Sequence, residues 1–285
     1  MKLHVSPIHR AVLATVAAMS AVVSAAGAQG AKPAVPGAPH AKAVTIVIFE
    51  NRDFANIVGS KDAPYLNATL VPQAAVMTNS HATAHPSQPN YLELFSGNVQ
   101  GVTGDECPET SSAPNIATQL LAAHQTFRGY AESMPNAGFT GCDGSKGLYR
   151  RKHNPWADFT NVPASLSVPL EWSPASLAMI VPNMCNDMHD CSTTVGDTWM
   201  KQNLPAIMKW DAAHDGLLIV TWDEAAPDAD GTNHIATLLI GPMIKTGRYT
   251  QHIDHDDVLR TIEQIYGLPC IANACGKTGI AGVWR

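Results

Sequence analysis

The chain has 285 residues, an apolar content of 45% and a formal charge of −6, all ordinary values for a globular protein. Its basic residues form no long run or stripe, which argues against a nucleic-acid-binding protein. The one basic cluster, Lys146 to His153, is better suited to an anionic small-molecule substrate. The length fits one large domain or two small ones.

The first residues are typical of a secretory signal. A basic segment containing Lys2 and Arg10 precedes an apolar run over 11–26, and Ala26-Gly27-Ala28 fits a cleavage site. We predict a signal peptide at 1–28 and a secreted or periplasmic protein with no stable membrane insertion after cleavage; an uncleaved anchor is the alternative. Residues 29–42, rich in Pro, Gly and Ala, read as a flexible leader. The rest, 43–285, is predicted to be a single catalytic domain.

Two apolar runs end abruptly in acidic residues. Ala43–Phe49 leads into Glu50-Asn51, and Gly216–Trp222 leads into Asp223-Glu224. Runs of this kind, without polar alternation, indicate strands buried on both faces of a parallel sheet. Because ligands bind beyond the carboxyl ends of such strands, three carboxylates and an amide should meet at one edge. Their mutual repulsion predicts a cation between them.

The remaining elements predict alternating strands and helices. In chain order, they are a helix over 115–124, a strand over 126–130, a long functional loop over 136–174, a strand over 177–181, a helix over 196–214, a strand over 235–240 and a helix over 255–266. This order predicts an α/β protein whose mostly parallel sheet is covered by helices on both faces.

A second informative segment begins at His85. Ser87 precedes a run, Tyr91 to Gly97, that reads as the first turns of a helix, so Ser87 should lie near a helix N-terminus, where anions are favoured. A serine hydroxyl there can attack an electrophile if a metal lowers its pKa. The alternative is that Ser87 is only an N-cap residue.

Six cysteines after a signal peptide indicate disulfides. Cys185 with Cys191 and Cys270 with Cys275 could each close a small loop, which would leave Cys107 with Cys142. The sequence does not choose among the possible pairings.

Six segments in order resemble the bacterial phosphoesterase family. That family groups secreted acid phosphatases with phospholipases C and is similar in fold to alkaline phosphatase. The segments that carry the resemblance are 50–54, 85–91, 183–189, 222–224, 233–235, and His255 with 259–263. The resemblance implies a three-layer α/β/α sandwich, Ser87 as the nucleophile, and metal binding by Glu50, Asp223 and Glu224 with Asn51 beside them.

The chain departs from the family pattern at two places. Arg52-Asp53 stands where the family often has His-Ser, and acidic Asp256-Asp257 follows His255. Any role for His255, and likewise for His234, therefore stays open.

The ligand types predict one divalent ion. Carboxylate and amide oxygens favour Ca²⁺, Mg²⁺ or Mn²⁺, while Fe and Zn remain open. His153 and His189 are candidates to bind phosphate or to protonate the leaving oxygen. Asn51, His85 and Asp187 are candidates to bind substrate, and Asp187 could also orient His189 or help to bind a second cation.

These residues predict a secreted, metal-dependent phosphomonoesterase of the acid phosphatase type, with a phosphoseryl intermediate and a small phosphate ester as substrate. One alternative is a phospholipase C that acts on phosphatidylcholine-type phospholipids, for which Trp156, Phe159 and Trp172 could supply an aromatic cage. Another is a secreted protein that binds a phosphate ligand without turnover.

Overall fold

The computed structural model of the chain describes residue 37, residues 39–226 and residues 231–285. The described residues form strands β1 (Ala43–Phe49), β2 (Ala75–His81), β3 (Phe127–Ala131), β4 (Ser167–Pro169), β5 (Leu177–Val181), β6 (Gly216–Trp222), β7 (His234–Ile240) and β8 (Gly247–Tyr249). The helices are α1 (Phe54–Ile57), α2 (Ser87–Ser96), α3 (Ile116–Ala122), α4 (Thr193–His214) and α5 (His255–Tyr266). The predicted signal peptide, 1–28, and most of the predicted leader lie outside the described residues.

One sheet contains all of these strands, in the order β4-β3-β5-β1-β6-β7-β2-β8. Strand β7 runs antiparallel to its neighbours β6 and β2, and the other pairs among the described strands are parallel. The central pair, β1 and β6, is in register from Ala43 with Gly216 to Phe49 with Trp222. The residues that follow the two strands therefore emerge side by side at the same edge.

The two faces of the sheet carry separate cores. Alternate residues of β1 point to opposite sides, with Ile46 and Ile48 in one core and Val47 and Phe49 in the other. Apolar residues of α2, α3 and α5 join the first core, and those of α4 join the second. This arrangement confirms the predicted three-layer α/β/α sandwich, because a strand covered on both faces must be apolar at successive positions.

Most predicted elements form close to their predicted bounds. β1 and β6 match, and α3 begins after Asn115, whose side chain accepts a hydrogen bond from the Thr118 N–H. α4 begins three residues before the predicted start, at Thr193. β7 is antiparallel to β6 because only the eleven residues 223–233 connect the two strands, fewer than the dozen or more that a parallel return needs.

Other elements differ from the prediction. The predicted long loop, 136–174, contains β4 and four short 3₁₀ turns, at Ser145–Gly147, Arg151–His153, Pro155–Ala157 and Ala164–Leu166. β2 and β8 were not predicted. β2 carries Thr, Asn, Ser and His among its residues, and β8 is three residues long, so neither gives a clear apolar pattern.

Three disulfides are present, and they are Cys107–Cys142, Cys185–Cys191 and Cys270–Cys275. Proximity in the sequence suggested the second and third pairs and left Cys107 with Cys142, but the sequence did not decide among the possible pairings. Within the described ranges, every helix is too short or too polar to cross a membrane.

A buried acid in α4 makes stability depend on pH. Asp211 in α4 is 2% exposed, and neither of its carboxylate oxygens has a hydrogen-bond partner among the described residues. Burial raises the pKa of Asp211 from 3.8 to about 7. The folded state therefore binds more protons than the unfolded state between these values, and stability falls as the pH rises from about 4 through 7.

Asp211→Asn should remove this dependence. We expect the variant to match the wild type at pH 4 and to be more stable at pH 8 by about 1–3 kcal/mol, less than the full linkage value because a cavity borders the carboxylate. Denaturant unfolding at both pH values measures the effect. Asp62→Asn, which removes a carboxylate from an exposed loop, controls for net charge. An equal gain at both pH values would contradict the assignment to Asp211.

Candidate active site

The acidic residues that follow β1 and β6 lie together at the carboxyl edge of the sheet. Glu50, Asp223 and Glu224 are all at most 2% exposed. Asn51 adopts a left-handed backbone conformation (φ 52°), which asparagine tolerates better than most residues. Its backbone N–H donates to Asp223 Oδ1 (3.1 Å) and its side-chain amide donates to Glu50 Oε2 (3.1 Å). The turn after β1 thus joins the two predicted acidic segments.

Ser87 lies at the first position of α2 with its hydroxyl directed at the acids. Its Oγ donates to Glu50 Oε2 (2.9 Å) and lies 3.3 Å from Glu224 Oε1. The N-cap residue is Pro86, which makes no side-chain capping hydrogen bond, and the Ser87 hydroxyl does not take over that role. The hydroxyl is therefore not used for capping and is placed beside two carboxylates.

His153 completes the interior of the site. Its Nε2 atom is 3.2 Å from Glu50 Oε1, and its Nδ1 atom is 3.5 Å from Asp187 Oδ2. Its ring stacks on Tyr91, with ring centroids 5.3 Å apart. Asp187 thus lies beside the His153 ring, while its contact with His189 is to the backbone N–H (2.7 Å).

Two further histidines lie at the rim. The His189 ring is 5.5 Å from the His153 ring, and its Nδ1 atom pairs with Asp190 (2.8 Å). The Nδ1 atom of His85 is 2.5 Å from Glu224 Oε2, and its side chain is 44% exposed. The structure therefore brings together every residue that the sequence singled out for catalysis, substrate binding or metal binding.

Three polar residues at this edge could hold a metal ion. One ligand atom each from Glu50, His153 and His189 lie within 4.8 Å of one another. Asn51 Oδ1 and Asp223 Oδ2, moreover, are buried and have no hydrogen-bond partner among the described residues. Buried oxygens left without donors fit a cation, so the donor set suits a divalent ion.

Comparison with known proteins identifies the family. The profile of the Phosphoesterase family matches residues 60–269, most of the chain. The chain belongs to the phosphoesterase family. It is 43% identical over 250 residues to phosphatidylinositol-3-phosphatase from Mycobacterium tuberculosis, covering 85% of this chain and 82% of that protein. These findings confirm the predicted phosphoric ester hydrolase.

More distant relatives agree with this assignment. A probable acid phosphatase from Kluyveromyces lactis is 28% identical, over 84% of this chain and 61% of that protein. An acid phosphatase from Aspergillus fumigatus is 27% identical, over 81% of this chain and 56% of that protein. The phosphoesterase thus spans a little over half the length of these fungal relatives.

Solved structures confirm the fold. A protein of the alkaline phosphatase superfamily from Vibrio parahaemolyticus superposes with a TM-score of 0.55 at 14% identity, over 84% of this chain and 71% of that one. A phosphonate monoester hydrolase from Agrobacterium radiobacter gives a TM-score of 0.54 at 10% identity, over 86% of this chain and 79% of that one. At these identities the likeness establishes architecture, which is alkaline-phosphatase-like.

Burial and like charges act together on the acids of this phosphoesterase. Burial, then Asp223 and Asp187, raise the pKa of Glu50 well above its usual value. Burial and the neighbouring Glu224 raise the pKa of Asp223 to about 7, and burial raises the pKa of Glu224 to about 7. Burial, then Lys152 and His189, lower the pKa of His153, so this histidine supplies little compensating positive charge. The buried acids Glu50, Asp223 and Glu224 therefore lack a positive charge that would balance theirs.

Sequence reasoning missed two contacts in the site. The Tyr91 hydroxyl donates to Glu50 Oε1 (2.6 Å), and His255 Nε2 lies 2.7 Å from the backbone carbonyl of Asp223. Tyr91 stands four residues after Ser87, so the two share a helix face, which is the signal that could have identified it. His234 instead stacks on Phe54 and contacts the backbone carbonyl of Thr78.

The three aromatic residues considered for a choline cage do not converge. Trp156 and Phe159 are buried in the core that contains α2. Trp172 packs against the core on the opposite face of the sheet and contacts Trp210. These side chains are structural, and they provide no cage for a quaternary ammonium headgroup.

Removing one acid from the cluster should stabilise the metal-free protein. In buffer with a chelator at pH 8, we expect Asp223→Asn to increase the free energy of unfolding by about 1–2 kcal/mol, because a neutral amide relieves repulsion among buried carboxylates. Denaturant unfolding with and without chelator measures this, again with Asp62→Asn as the charge control. A loss of stability in chelator would show that the carboxylates do not repel one another.

Proposed function

We propose that the chain is a secreted, metal-dependent phosphomonoesterase that works through a phosphoseryl intermediate at Ser87. The observation that carries this proposal is the Ser87 hydroxyl, which donates to Glu50 and approaches Glu224 at the N-terminus of α2 instead of capping it. A helix N-terminus favours a phosphate group, and the adjacent acids can hold the cation that such a group requires.

The proposed metal ligands are Glu50, Asn51, Asp223 and Glu224. Their support is the pair of unpartnered buried oxygens, Asn51 Oδ1 and Asp223 Oδ2. His153 and His189 could instead serve as nitrogen ligands, since their ring nitrogens lie near Glu50, but a histidine that binds the ion would not also act on the substrate. When bound, a divalent ion would lower the pKa of the serine hydroxyl and neutralise phosphoryl charge. The ligand oxygens favour Ca²⁺, Mg²⁺ or Mn²⁺, whereas the two histidines would suit Fe or Zn.

The proposed reaction has two balanced steps. In the first, the Ser87 hydroxyl gives its proton to the adjacent Glu50 carboxylate and its oxygen attacks phosphorus, the ester P–O bond breaks, and the leaving oxygen takes a proton from His189. In the second, water attacks the phosphoserine, inorganic phosphate leaves, and the serine hydroxyl is restored. His189 lies at the rim with its Nδ1 atom held by Asp190, so it is placed to protonate the leaving group. His153, buried beside Asp187, would bind a phosphoryl oxygen.

The substrate is proposed to be a phosphate monoester. The name of the relative at 43% identity, a phosphatidylinositol-3-phosphatase, makes a monoester on a lipid headgroup one candidate beside small soluble esters. Asn51, His85 and Asp187 are proposed to bind the substrate. The predicted signal peptide and the three disulfides support export to the periplasm or the medium.

Replacing Ser87 by alanine should abolish turnover. We expect hydrolysis of p-nitrophenyl phosphate to fall at least about a thousandfold, because the nucleophile is lost. Ser96→Ala is the matched control, since Ser96 is equally buried on the same helix and bonds to the Leu92 carbonyl. Acid quenching during turnover, followed by mass spectrometry, should detect one phosphoryl group on Ser87. Full activity of Ser87→Ala would reject the nucleophile.

Metal removal should also abolish turnover. We expect a chelator to eliminate hydrolysis and a divalent ion to restore it, while Glu50→Gln should have neither bound metal nor activity. Metal analysis of the purified protein identifies the ion, and the exposed Glu171→Gln serves as control. An active Glu50→Gln variant would overturn the site. Hydrolysis of phosphatidylcholine but not of monoesters would favour the phospholipase C alternative, and phosphate binding without any turnover would favour the binding-protein alternative.

A further inference from the structure

We propose that Lys152 binds the phosphoryl oxygens of the substrate, and that Asp105 is an internal anion that competes with them for the same position. The inference rests on the proposed function and deepens it. It assigns the protein a preference for phosphate groups with two negative charges over phosphodiesters, which have one.

The position of Asp105 is the first observation. Its Oδ1 atom accepts the backbone N–H of Gln88 (3.0 Å), the residue directly after Ser87. Its Oδ2 atom lies 2.6 Å from Lys152 Nζ. A carboxylate held between an ammonium group and the first turn of α2 has the charge and the acceptor atoms that a phosphoryl group would present there.

The turn that carries Lys152 is the second observation. Arg151, Lys152 and His153 are consecutive, and each contacts a different acid: Asp158 (2.8 Å), Asp105 (2.6 Å) and Glu50 (3.2 Å), respectively. Arg151 is buried and its donors bind backbone carbonyls as well, so it is committed to structure. Among the described residues Lys152 hydrogen-bonds to one carboxylate, that of Asp105, so its ammonium group retains donor capacity for a phosphoryl oxygen.

Access to the pair is the third observation. The side chains of Lys152 and Asp105 are 16% and 29% exposed, and both line a cavity of about 300 Å³ together with His189. The cavity therefore connects solvent with the pair and with the histidine assigned to the leaving group. Lys152 and Asp105 also act on Glu224 in opposite directions: Asp105 raises its pKa and Lys152 lowers it, both less than burial does.

The competition explains a preference for dianions. Substrate binding would break the Lys152–Asp105 contact and the Gln88–Asp105 hydrogen bond, and would form equivalent contacts to phosphoryl oxygens. A phosphate group with two negative charges is attracted to Lys152 and to the helix N-terminus more strongly than the single carboxylate of Asp105 is. A diester with one negative charge is attracted little more strongly than that carboxylate. Asp105 thus discriminates against diesters.

Opposite effects of two substitutions test the proposal. We expect Lys152→Gln to raise the dissociation constant of inorganic phosphate about tenfold, with partial recovery in Lys152→Arg. We expect Asp105→Asn to lower that constant several-fold and to increase the rate with bis-p-nitrophenyl phosphate relative to p-nitrophenyl phosphate. Calorimetry and competitive inhibition on the full-length, metal-loaded protein measure both. Lys42→Gln breaks an exposed pair with Asp215 and should change neither quantity.

A purely structural salt bridge predicts a different pattern. Lys152→Gln and Asp105→Asn would then both lower the melting temperature, and they would change phosphate affinity in the same direction or not at all. This result would overturn the proposal. If Lys152→Gln does not fold, the sign of the Asp105→Asn effect decides, since unchanged or weaker phosphate binding rejects the competition. Absence of phosphate binding by the wild type also rejects it. Phosphate binding with opposite shifts but no ester hydrolysis would support Lys152 while rejecting the proposed function.

Discussion

Glu50 and Asp223 lie where two adjacent parallel strands end, and neither carboxylate reaches water. The register of β1 with β6 makes this proximity unavoidable, and buried like charges are costly unless donors or a cation compensate them. The surroundings of the two acids follow from this constraint. The Tyr91 and Ser87 hydroxyls and the Asn51 backbone and side-chain amides all point their hydrogens at these carboxylates. Because each of these donors is neutral, they reduce the charge repulsion without removing it.

The frame that holds the acids together is rigid for identifiable reasons. The backbone N–H of Asp223 donates to the Phe49 carbonyl, and that of Glu50 donates to the Asp187 carbonyl. Asp187 and His189 belong to a loop that the Cys185–Cys191 disulfide closes, and Arg52 donates to the Cys191 carbonyl. A disulfide and a charged hydrogen bond therefore fix the loop that supplies the partner of His153.

The sequence was informative where one local pattern determined the structure. β1 and β6 were predicted because each is a nearly continuous apolar run without polar alternation, and their acidic ends predicted the position of the site. β2 and β8 were not, because polar residues and short length remove that pattern. His153 and His189 drew attention through their motifs, yet their contacts with Glu50 and with each other join residues far apart in the chain. Only the fold determines such distances, and the same holds for the contact of His255 with the Asp223 carbonyl.

The acids of the site are more deeply buried than the basic side chains around them. This difference bears on the order in which the metal ion and the phosphate ester bind. The acids at the floor are at most 2% exposed, whereas the basic groups around them are partly exposed, at 16% for Lys152, 28% for His189 and 44% for His85. An approaching phosphate ester therefore meets Lys152, with its partner Asp105, and the two imidazole rings first, and it meets the buried acids only at the depth of Ser87. Unless a cation lies among the acids, that last step brings two anions together in a poorly solvated place. On the proposed function, metal binding thus precedes productive phosphate binding. By linkage, bound phosphate increases the affinity for the metal ion by the same factor by which the metal ion increases the affinity for phosphate.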